Sequence, residues 1–238
     1  MAWCAGAGVT ATAPEALARE VVALEAVIDG LGDPAGGRLF VSSSAGGVYA
    51  GSVGPPFDED TPPRPLSPYG ETKLQMEALA ASWGGPVVIG RIANLYGPGQ
   101  DVAKPQGLIS QLCRGHLLRQ PLQVYVPLDT VRDYLYVEDA ARLVLGCLDR
   151  ADGVTVKVLA SQQAVTIGAV LAELRRVSRR APRLVLSASA QARVQARDLR
   201  LRSRVWTELD QAPLTPLPVG VKRTLDDLSL RLRAGRLA

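Results

Sequence analysis

A tyrosine and a lysine four positions apart, Tyr69 and Lys73, are the residues of this sequence with the clearest chemical use. Their spacing places both side chains on one face of a predicted helix. A tyrosine hydroxyl ordinarily titrates near pH 10, and a neighbouring ammonium is expected to favour the phenolate and lower that pKa. Because a phenolate can take the proton of an alcohol, the pair indicates general acid/base chemistry at a hydroxyl-bearing carbon.

Further polar side chains lie before and after this pair. Three serines, Ser42, Ser43 and Ser44, come at the end of a predicted buried strand, and Asn94 directly follows another. Ligands of open parallel sheets bind beyond the carboxyl ends of the strands. We therefore expect these residues to surround one site with the tyrosine and lysine, where a serine hydroxyl would hold the substrate oxygen.

The elements that must position these residues alternate between strands and helices. Strands are predicted at Ala2–Val9, Arg38–Ser42, Pro86–Ile92 and Thr155–Ala160, and helices at Pro14–Leu31, Pro68–Ser82, Val137–Leu148 and Thr166–Arg179. Ser67 and Pro68 are typical of a helix start, as N-cap and first helical residue. From about Pro182 the pattern weakens and no further element is predicted. The alternation predicts an α/β fold, with a parallel sheet covered by helices on both faces.

Composition narrows the class of protein. The chain has 238 residues, 47% hydrophobic and 21% charged, which is ordinary for a globular protein of one large or two small domains. It has no apolar run of ~18 residues and no signal-peptide pattern, so we expect a cytoplasmic protein with no membrane partner. The net charge of +4 suits an anionic small substrate. Few aromatics accompany the arginines, which argues against nucleic-acid binding, and the three cysteines lack metal-ligand spacing, so no metal is expected.

Four stretches resemble, in order, successive motifs of the NAD-dependent epimerase/dehydratases, within the extended short-chain dehydrogenase/reductase family. They are FVSSSAGGVYAGS, PLSPYGETKLQME, RIANLYGPGQ and VRDYLYVEDAARLVL, and VTIGAVLAEL is similar to a later helix of the family. The resemblance implies a partial Rossmann-like, doubly wound parallel sheet with a small C-terminal substrate-binding subdomain. Residues 1–97 and 135–180 would form the nicotinamide-binding part, and 98–134 and 181–238 the substrate-binding part.

The resemblance also implies catalytic roles. Tyr69 would be the general base and acid, and Lys73 its partner, which also contacts the nicotinamide ribose. The third member is a serine that also contacts the substrate. The family's serine stands three residues before a Val-Tyr pair, where this chain has Ala45. An extra residue in the following turn makes Ser44 the best candidate and Ser43 the runner-up.

The implied ligands are NAD or NADP and a nucleotide sugar. The cofactor would contact Ala5, Gly6, Ser43 and Ala93, together with Tyr69 and Lys73. The substrate's diphosphate would contact Asn94 and Arg132, and a guanidinium suits bidentate recognition of phosphate. The alternative for Arg132 is an ion pair with Asp133 or Glu138.

The front of the sequence departs from the family. The glycine-rich turn that holds the cofactor pyrophosphate has no counterpart: Gly6 and Gly8 are not followed by a third glycine three residues later. This stretch instead resembles the family's fourth strand. We therefore expect an N-terminally truncated member with impaired NAD binding. Its strand at Ala2–Gly6 would be an exposed sheet edge, which favours a homodimer.

The reaction favoured by these features is NAD(P)-dependent epimerisation of a nucleotide sugar through a transient keto-sugar. The alternatives are a nucleotide keto-sugar reductase, which would use the same three residues once, and a catalytically inactive family member. Dehydration is disfavoured, because the family's dehydratases carry an Asp-Glu pair where this chain has Ala45, Gly46 and Gly47. His116, the only histidine, is assigned no catalytic role.

Overall fold

A computed structural model describes residues 1–6, 8–9, 12–104, 106–179, 183–187 and 195–236. Ala7, Pro182 and residues 188–194, on which parts of the predictions fall, lie outside the described residues. The helices α1 to α7 are Pro14–Leu31, Ala45–Val48, Pro68–Ala81, Leu108–Leu118, Val137–Arg150, Ile167–Ser178 and Leu217–Arg233. The strands β1 to β11 are Ala2–Trp3, Leu39–Ser44, Val87–Ile92, Asn94–Tyr96, Leu122–Val124, Val131–Arg132, Tyr134–Tyr136, Val154–Leu159, Val165–Thr166, Leu184–Leu186 and Asp198–Leu199. None of the helices in these ranges is long and apolar enough to cross a membrane.

A parallel sheet of four strands, in the order β1-β2-β3-β8, forms the centre of the first part of the chain. Its middle strands, β2 and β3, each begin with three apolar residues and are mostly buried, as expected of a sheet covered on both faces. The predicted α/β class with a parallel, Rossmann-like sheet is confirmed. Among the residues that the structure describes, β1 pairs only with β2, so it lies at the edge of the sheet as predicted. It is shorter than predicted, because the chain after Trp3 turns toward α1, where the Gly8 amide donates to Glu20.

Helices cover both faces of this sheet, because neighbouring side chains on a strand point in opposite directions. On β2, Leu39 and Val41 pack with Leu24 of α1 and Met76 of α3. Phe40 points the other way, into a core that it shares with residues of α5 and β8. The predicted doubly wound arrangement follows directly from this alternation.

A second core lies beyond the carboxyl end of the sheet. It joins α4, α6 and α7 with three tyrosines, Tyr96, Tyr134 and Tyr136. Helix α6, which the sequence analysis assigned to the nicotinamide-binding part, packs into this second core. Helix α7 was not predicted, because its prolines were taken as a sign of irregular chain. Pro216 is the N-cap and Pro218 lies in the first turn, where a proline costs a helix nothing.

A buried polar network fastens α3 to the sheet. The guanidinium of Arg91, on β3, lies 2.7 Å from the carboxylate of Glu77 on α3, and both side chains are less than 10% exposed. Ser43, on β2, donates a hydrogen bond to the same carboxylate, and Arg91 donates to the Tyr49 hydroxyl at 2.8 Å. Buried charges are costly unless they are paired and fully hydrogen-bonded, so this network fixes α3 against the two central strands.

We predict that Glu77→Gln lowers the free energy of unfolding by about 3–5 kcal/mol, because it leaves the buried charge of Arg91 without a carboxylate. Urea denaturation followed by circular dichroism measures the change. Glu71→Gln, on the exposed side of the same helix, is the matched control and should change the free energy by less than about 0.5 kcal/mol. Equal stability of the two variants would contradict the prediction.

Candidate active site

An open cleft of about 1230 Å³ lies at the carboxyl ends of β2 and β3. All nine residues that the sequence analysis assigned to a site line this cleft: Ala5, Gly6, Ser43, Ser44, Tyr69, Lys73, Ala93, Asn94 and Arg132. The fold therefore brings together residues that are far apart in sequence. Their individual roles stay predictions.

The start of α3 places the tyrosine and the lysine. The Ser67 hydroxyl accepts a hydrogen bond from the Gly70 amide at 3.3 Å, so Ser67 is the N-cap as predicted, and Pro68 lies in the first turn. Tyr69 follows within that turn, and Lys73 lies one turn later. The Lys73 Nζ atom is 5.5 Å from the centre of the Tyr69 ring.

Ser44 is the serine that contacts the tyrosine. It is the N-cap of α2, and its hydroxyl oxygen accepts from the Gly47 amide at 3.1 Å. The hydroxyl also hydrogen-bonds the hydroxyl of Tyr69. A side chain at Gly47 would lie 3.1 Å from the Tyr69 ring, so the glycine permits this approach. Ser43 lines the cleft, but its hydroxyl donates to Glu77 instead.

Glu20, on α1, is a site residue that the sequence analysis missed. Its Oε2 atom is 3.6 Å from the Lys73 Nζ atom, and the two side chains are only 10% and 7% exposed. Burial lowers the pKa of Lys73, and the charge of Glu20 acts in the opposite direction. The available signal was its place on the apolar face of α1, between Leu17 and Leu24, where a carboxylate is unexpected.

The electrostatics of Tyr69 differ from the expectation. We expected Lys73 to lower the pKa of the hydroxyl, but the pKa of Tyr69 is raised. Burial is the main cause, because it disfavours the phenolate; the hydrogen bond from Ser44 lowers the pKa, and the negative charge of Glu20 raises it. The Glu20 carboxylate lies beside the Lys73 ammonium and offsets the positive charge that was expected to lower the pKa of Tyr69. In this state of the cleft, Tyr69 is a proton donor.

Asn94 and Arg132 lie toward the second core. The Asn94 amide donates to the Asp133 carbonyl at 2.9 Å. The Arg132 guanidinium donates to the Val131 carbonyl at 2.8 Å and to Gln195 at 3.3 Å. Within the described part of the chain, Arg132 forms neither of the ion pairs weighed as its alternative role. A guanidinium held by neutral partners at the wall of a cleft keeps its full charge for an anion.

Asp133 is a buried acid directly behind these two residues. Its Oδ1 atom accepts from the Ser161 amide at 2.7 Å, and its side chain is fully buried. Burial raises the pKa of Asp133 to about 6, although the hydrogen bonds from Ser161 and Gln162 lower it. The carboxylate is therefore charged near neutral pH only at a cost to stability.

The chain was compared with known protein families and sequences. The profile of the NAD dependent epimerase/dehydratase family matches residues 1–160. An uncharacterised UDP-glucose epimerase of Bacillus subtilis is 32% identical over 139 residues, which are 56% of this chain and 43% of that protein. The match thus spans less than half the length of this relative.

Two solved structures are similar to this chain over most of its length. MoeE5, in complex with UDP-glucose and NAD, is 28% identical with a TM-score of 0.81, covering 92% of this chain and 74% of that one. A UDP-glucose 4-epimerase of Thermotoga maritima, with UDP-glucose, is 25% identical with a TM-score of 0.83, covering 97% of this chain and 77% of that one.

We predict that Asp133→Asn makes stability less dependent on pH. Between the unfolded pKa of 3.8 and the folded value of about 6, the folded state binds more protons, so wild-type stability falls as pH rises through this window. The free energy of unfolding of the variant, relative to wild type, should therefore increase between pH 4 and pH 7 by roughly 2–3 kcal/mol. Urea denaturation at both pH values tests this.

The control is Asp152→Asn, which removes an exposed aspartate. Its stability relative to wild type should not change over the same pH range. If the free energy of unfolding of Asp133→Asn, relative to wild type, is as independent of pH as that of the control, the pKa of Asp133 is not raised.

Proposed function

The chain belongs to the NAD-dependent epimerase/dehydratase family, and on this premise we propose that its cleft epimerises a nucleotide sugar through a transient keto-sugar. The observation that carries the proposal is the contact of Ser44 with Tyr69, beside the buried Lys73, in one open cleft. A hydroxyl pair next to an ammonium is what proton removal from a sugar hydroxyl requires. The UDP-glucose in two similar solved structures supports a nucleotide sugar as the substrate class.

The lining of the cleft fits a nicotinamide and its ribose, from NAD or NADP. Ala5, Gly6 and Ala93 contribute small residues to this lining, and the Lys73 ammonium offers hydrogen-bond donors suited to ribose hydroxyls. A bound nicotinamide would supply hydride removal from the sugar carbon and its return. The proposed epimerisation requires no other reactive group of the cofactor.

The protein's residues would handle the proton. Ser44, fixed as a helix N-cap, would hold the sugar oxygen next to the Tyr69 hydroxyl. Tyr69 would take the proton of the sugar hydroxyl as the keto group forms, and return it when the sugar is reduced on its other face. Because its pKa is raised at rest, Tyr69 depends on positive charge entering the cleft to act as a base.

The substrate's diphosphate would lie against Asn94 and Arg132. Arg132 is 8% exposed and already oriented by two hydrogen bonds, so little side-chain freedom is lost when it binds an anion. Arg132 stands beside the second core, which supports the assignment of residues 98–134 and 181–238 to the substrate. The assignment of residues 1–97 and 135–180 to the nicotinamide stays a proposal, since α6 of that part packs into the second core. We also propose a cytoplasmic homodimer that covers the exposed edge of β1.

A nucleotide keto-sugar reductase is the second candidate, because it would use the same serine, tyrosine and lysine in one direction only. Dehydration is not favoured: the residues after Ser44 are Ala45, Gly46 and Gly47, which form α2 and carry no acid or base. A family member that binds without catalysis is the remaining alternative, and the turnover and binding measurements below separate it from both enzymes.

We predict that Tyr69→Phe lowers kcat for UDP-glucose about 10²–10⁴-fold, because the proton would lose its acceptor and donor. Turnover at NAD concentrations well above ~1 mM, followed by separation of the sugar epimers, measures it. Tyr125→Phe is the control, since Tyr125 lines the same cleft but donates its hydroxyl to Gln123. Turnover of Tyr69→Phe equal to that of the control would remove Tyr69 from the mechanism.

We predict that the 238-residue chain binds NAD with a Kd weaker than ~1 mM. The reason is that its sequence contains no glycine-rich turn for the pyrophosphate, the most charged part of the cofactor. Calorimetric titration with NAD and with nicotinamide mononucleotide should give affinities within about threefold of each other, because the adenosine half would gain nothing. Saturable micromolar binding of NAD alone would show that Gly6 and Gly8 belong to a working phosphate loop.

A further inference from the structure

We propose that Glu20 is a positioning residue of the cleft, whose carboxylate holds the ammonium of Lys73 and the backbone of the loop after β1 in one arrangement. The inference rests on the proposed function in one respect: Lys73 must be the residue that meets the nicotinamide ribose. The geometry of Glu20 itself is independent of any substrate.

The two carboxylate oxygens of Glu20 have separate partners on separate elements. Oε1 accepts a hydrogen bond from the backbone amide of Gly8, in the loop that follows β1. Oε2 faces the Lys73 Nζ atom of α3 at 3.6 Å. Because Glu20 itself belongs to α1, one side chain joins this helix to the two elements that line the cleft here, the loop after β1 and α3.

The loop approaches Glu20 so closely that side chains are excluded. A Cβ atom built at Gly8 would lie 2.9 Å from Oε1 of Glu20 and 2.7 Å from a methyl group of Leu17. A Cβ atom at Gly6 would lie 3.3 Å from Oε2. Both glycines therefore leave room for the carboxylate, and they place the cleft-lining backbone directly against it.

Packing alone does not account for a carboxylate at this place. The neighbouring residues on the same face of α1, Leu17 and Leu24, are almost fully buried. A leucine at position 20 would extend that apolar face. A buried carboxylate instead loses its hydration, and only its hydrogen-bond and ion-pair partners offset that free-energy cost. The gain from the carboxylate lies in what it holds, namely an ammonium that would otherwise be buried without a counter-charge.

The charge of Glu20 also acts on the catalytic hydroxyl. Lys73 has Glu20 of α1 and the Met76 sulfur of its own helix as partners, and Tyr69 has the Ser44 hydroxyl of β2. Of these three partners, Glu20 is the one that carries a negative charge. Its charge raises the pKa of Lys73 against the larger effect of burial, and it raises the pKa of Tyr69 in the same direction as burial.

The test is Glu20→Gln in the unliganded protein, with Glu25→Gln, on the exposed side of α1, as the matched control. The chain has only four lysines, Lys73, Lys104, Lys157 and Lys222, so side-chain ¹⁵N NMR resolves them and Lys73→Arg assigns the resonance. In Glu20→Gln the pKa of Lys73 should fall by about one unit or more. The pKa of Tyr69, followed by ¹³C labelling of the tyrosine rings, should fall as well.

A role in holding the fold alone predicts a different result. If Glu20→Gln lowers the melting temperature while both pKa values equal those of Glu25→Gln, the proposal is overturned. Should Glu20→Gln fail to fold, the unmutated chain decides: acidification that protonates Glu20 must shift the Lys73 Nζ resonance, and a constant resonance contradicts the pairing. Because these measurements use no substrate, absence of epimerase turnover would overturn the proposed function and leave the placement of Glu20 standing.

Discussion

The buried ion pair between Arg91 and Glu77 is the interaction on which the geometry of the cleft depends. It joins β3 to α3, and the hydroxyl of Ser43 on β2 donates to the same carboxylate. These contacts fix the position and the orientation of α3, the helix that carries Tyr69 and Lys73, relative to the ends of both strands. A general acid must lie within hydrogen-bond reach of the atom that it protonates, so a catalytic helix attached only by apolar contacts would place its hydroxyl less reliably.

Helix α3 carries a second buried charge, the ammonium of Lys73, and its partner lies on the opposite side. Glu77 pairs with the sheet and Lys73 with Glu20 of α1, so the helix is held electrostatically from two directions. The same arrangement pairs the ammonium nearest to Tyr69 with a carboxylate. Burial and the charge of Glu20 both raise the pKa of Tyr69, so the proposed role of Tyr69 as a base requires a further positive charge.

Much of the fold could be predicted because its signals are local. The sheet-forming strands read as short apolar runs, and the start of α3 was marked by Ser67 and Pro68, whose capping role depends only on residues one turn away. The edge position of β1 followed from a resemblance between motifs. Helix α7 was not predicted, although its signal was also local. Pro216 and Pro218 were taken as a sign of irregular chain, but they lie at the start of the helix.

For the site, the sequence by itself determined that a tyrosine and a lysine share a helix face and that serines and an asparagine lie at or just past the ends of predicted strands. These are consequences of helical and strand periodicity. Only the tertiary structure decided between the two candidate serines: neighbouring residues of β2 point in opposite directions, so Ser43 donates to Glu77 while Ser44 meets Tyr69. It also decided that Glu20 faces Lys73 and that the pKa of Tyr69 is raised. Burial and the approach of charges from distant parts of the chain arise only when the elements pack, so no spacing within the sequence encodes them.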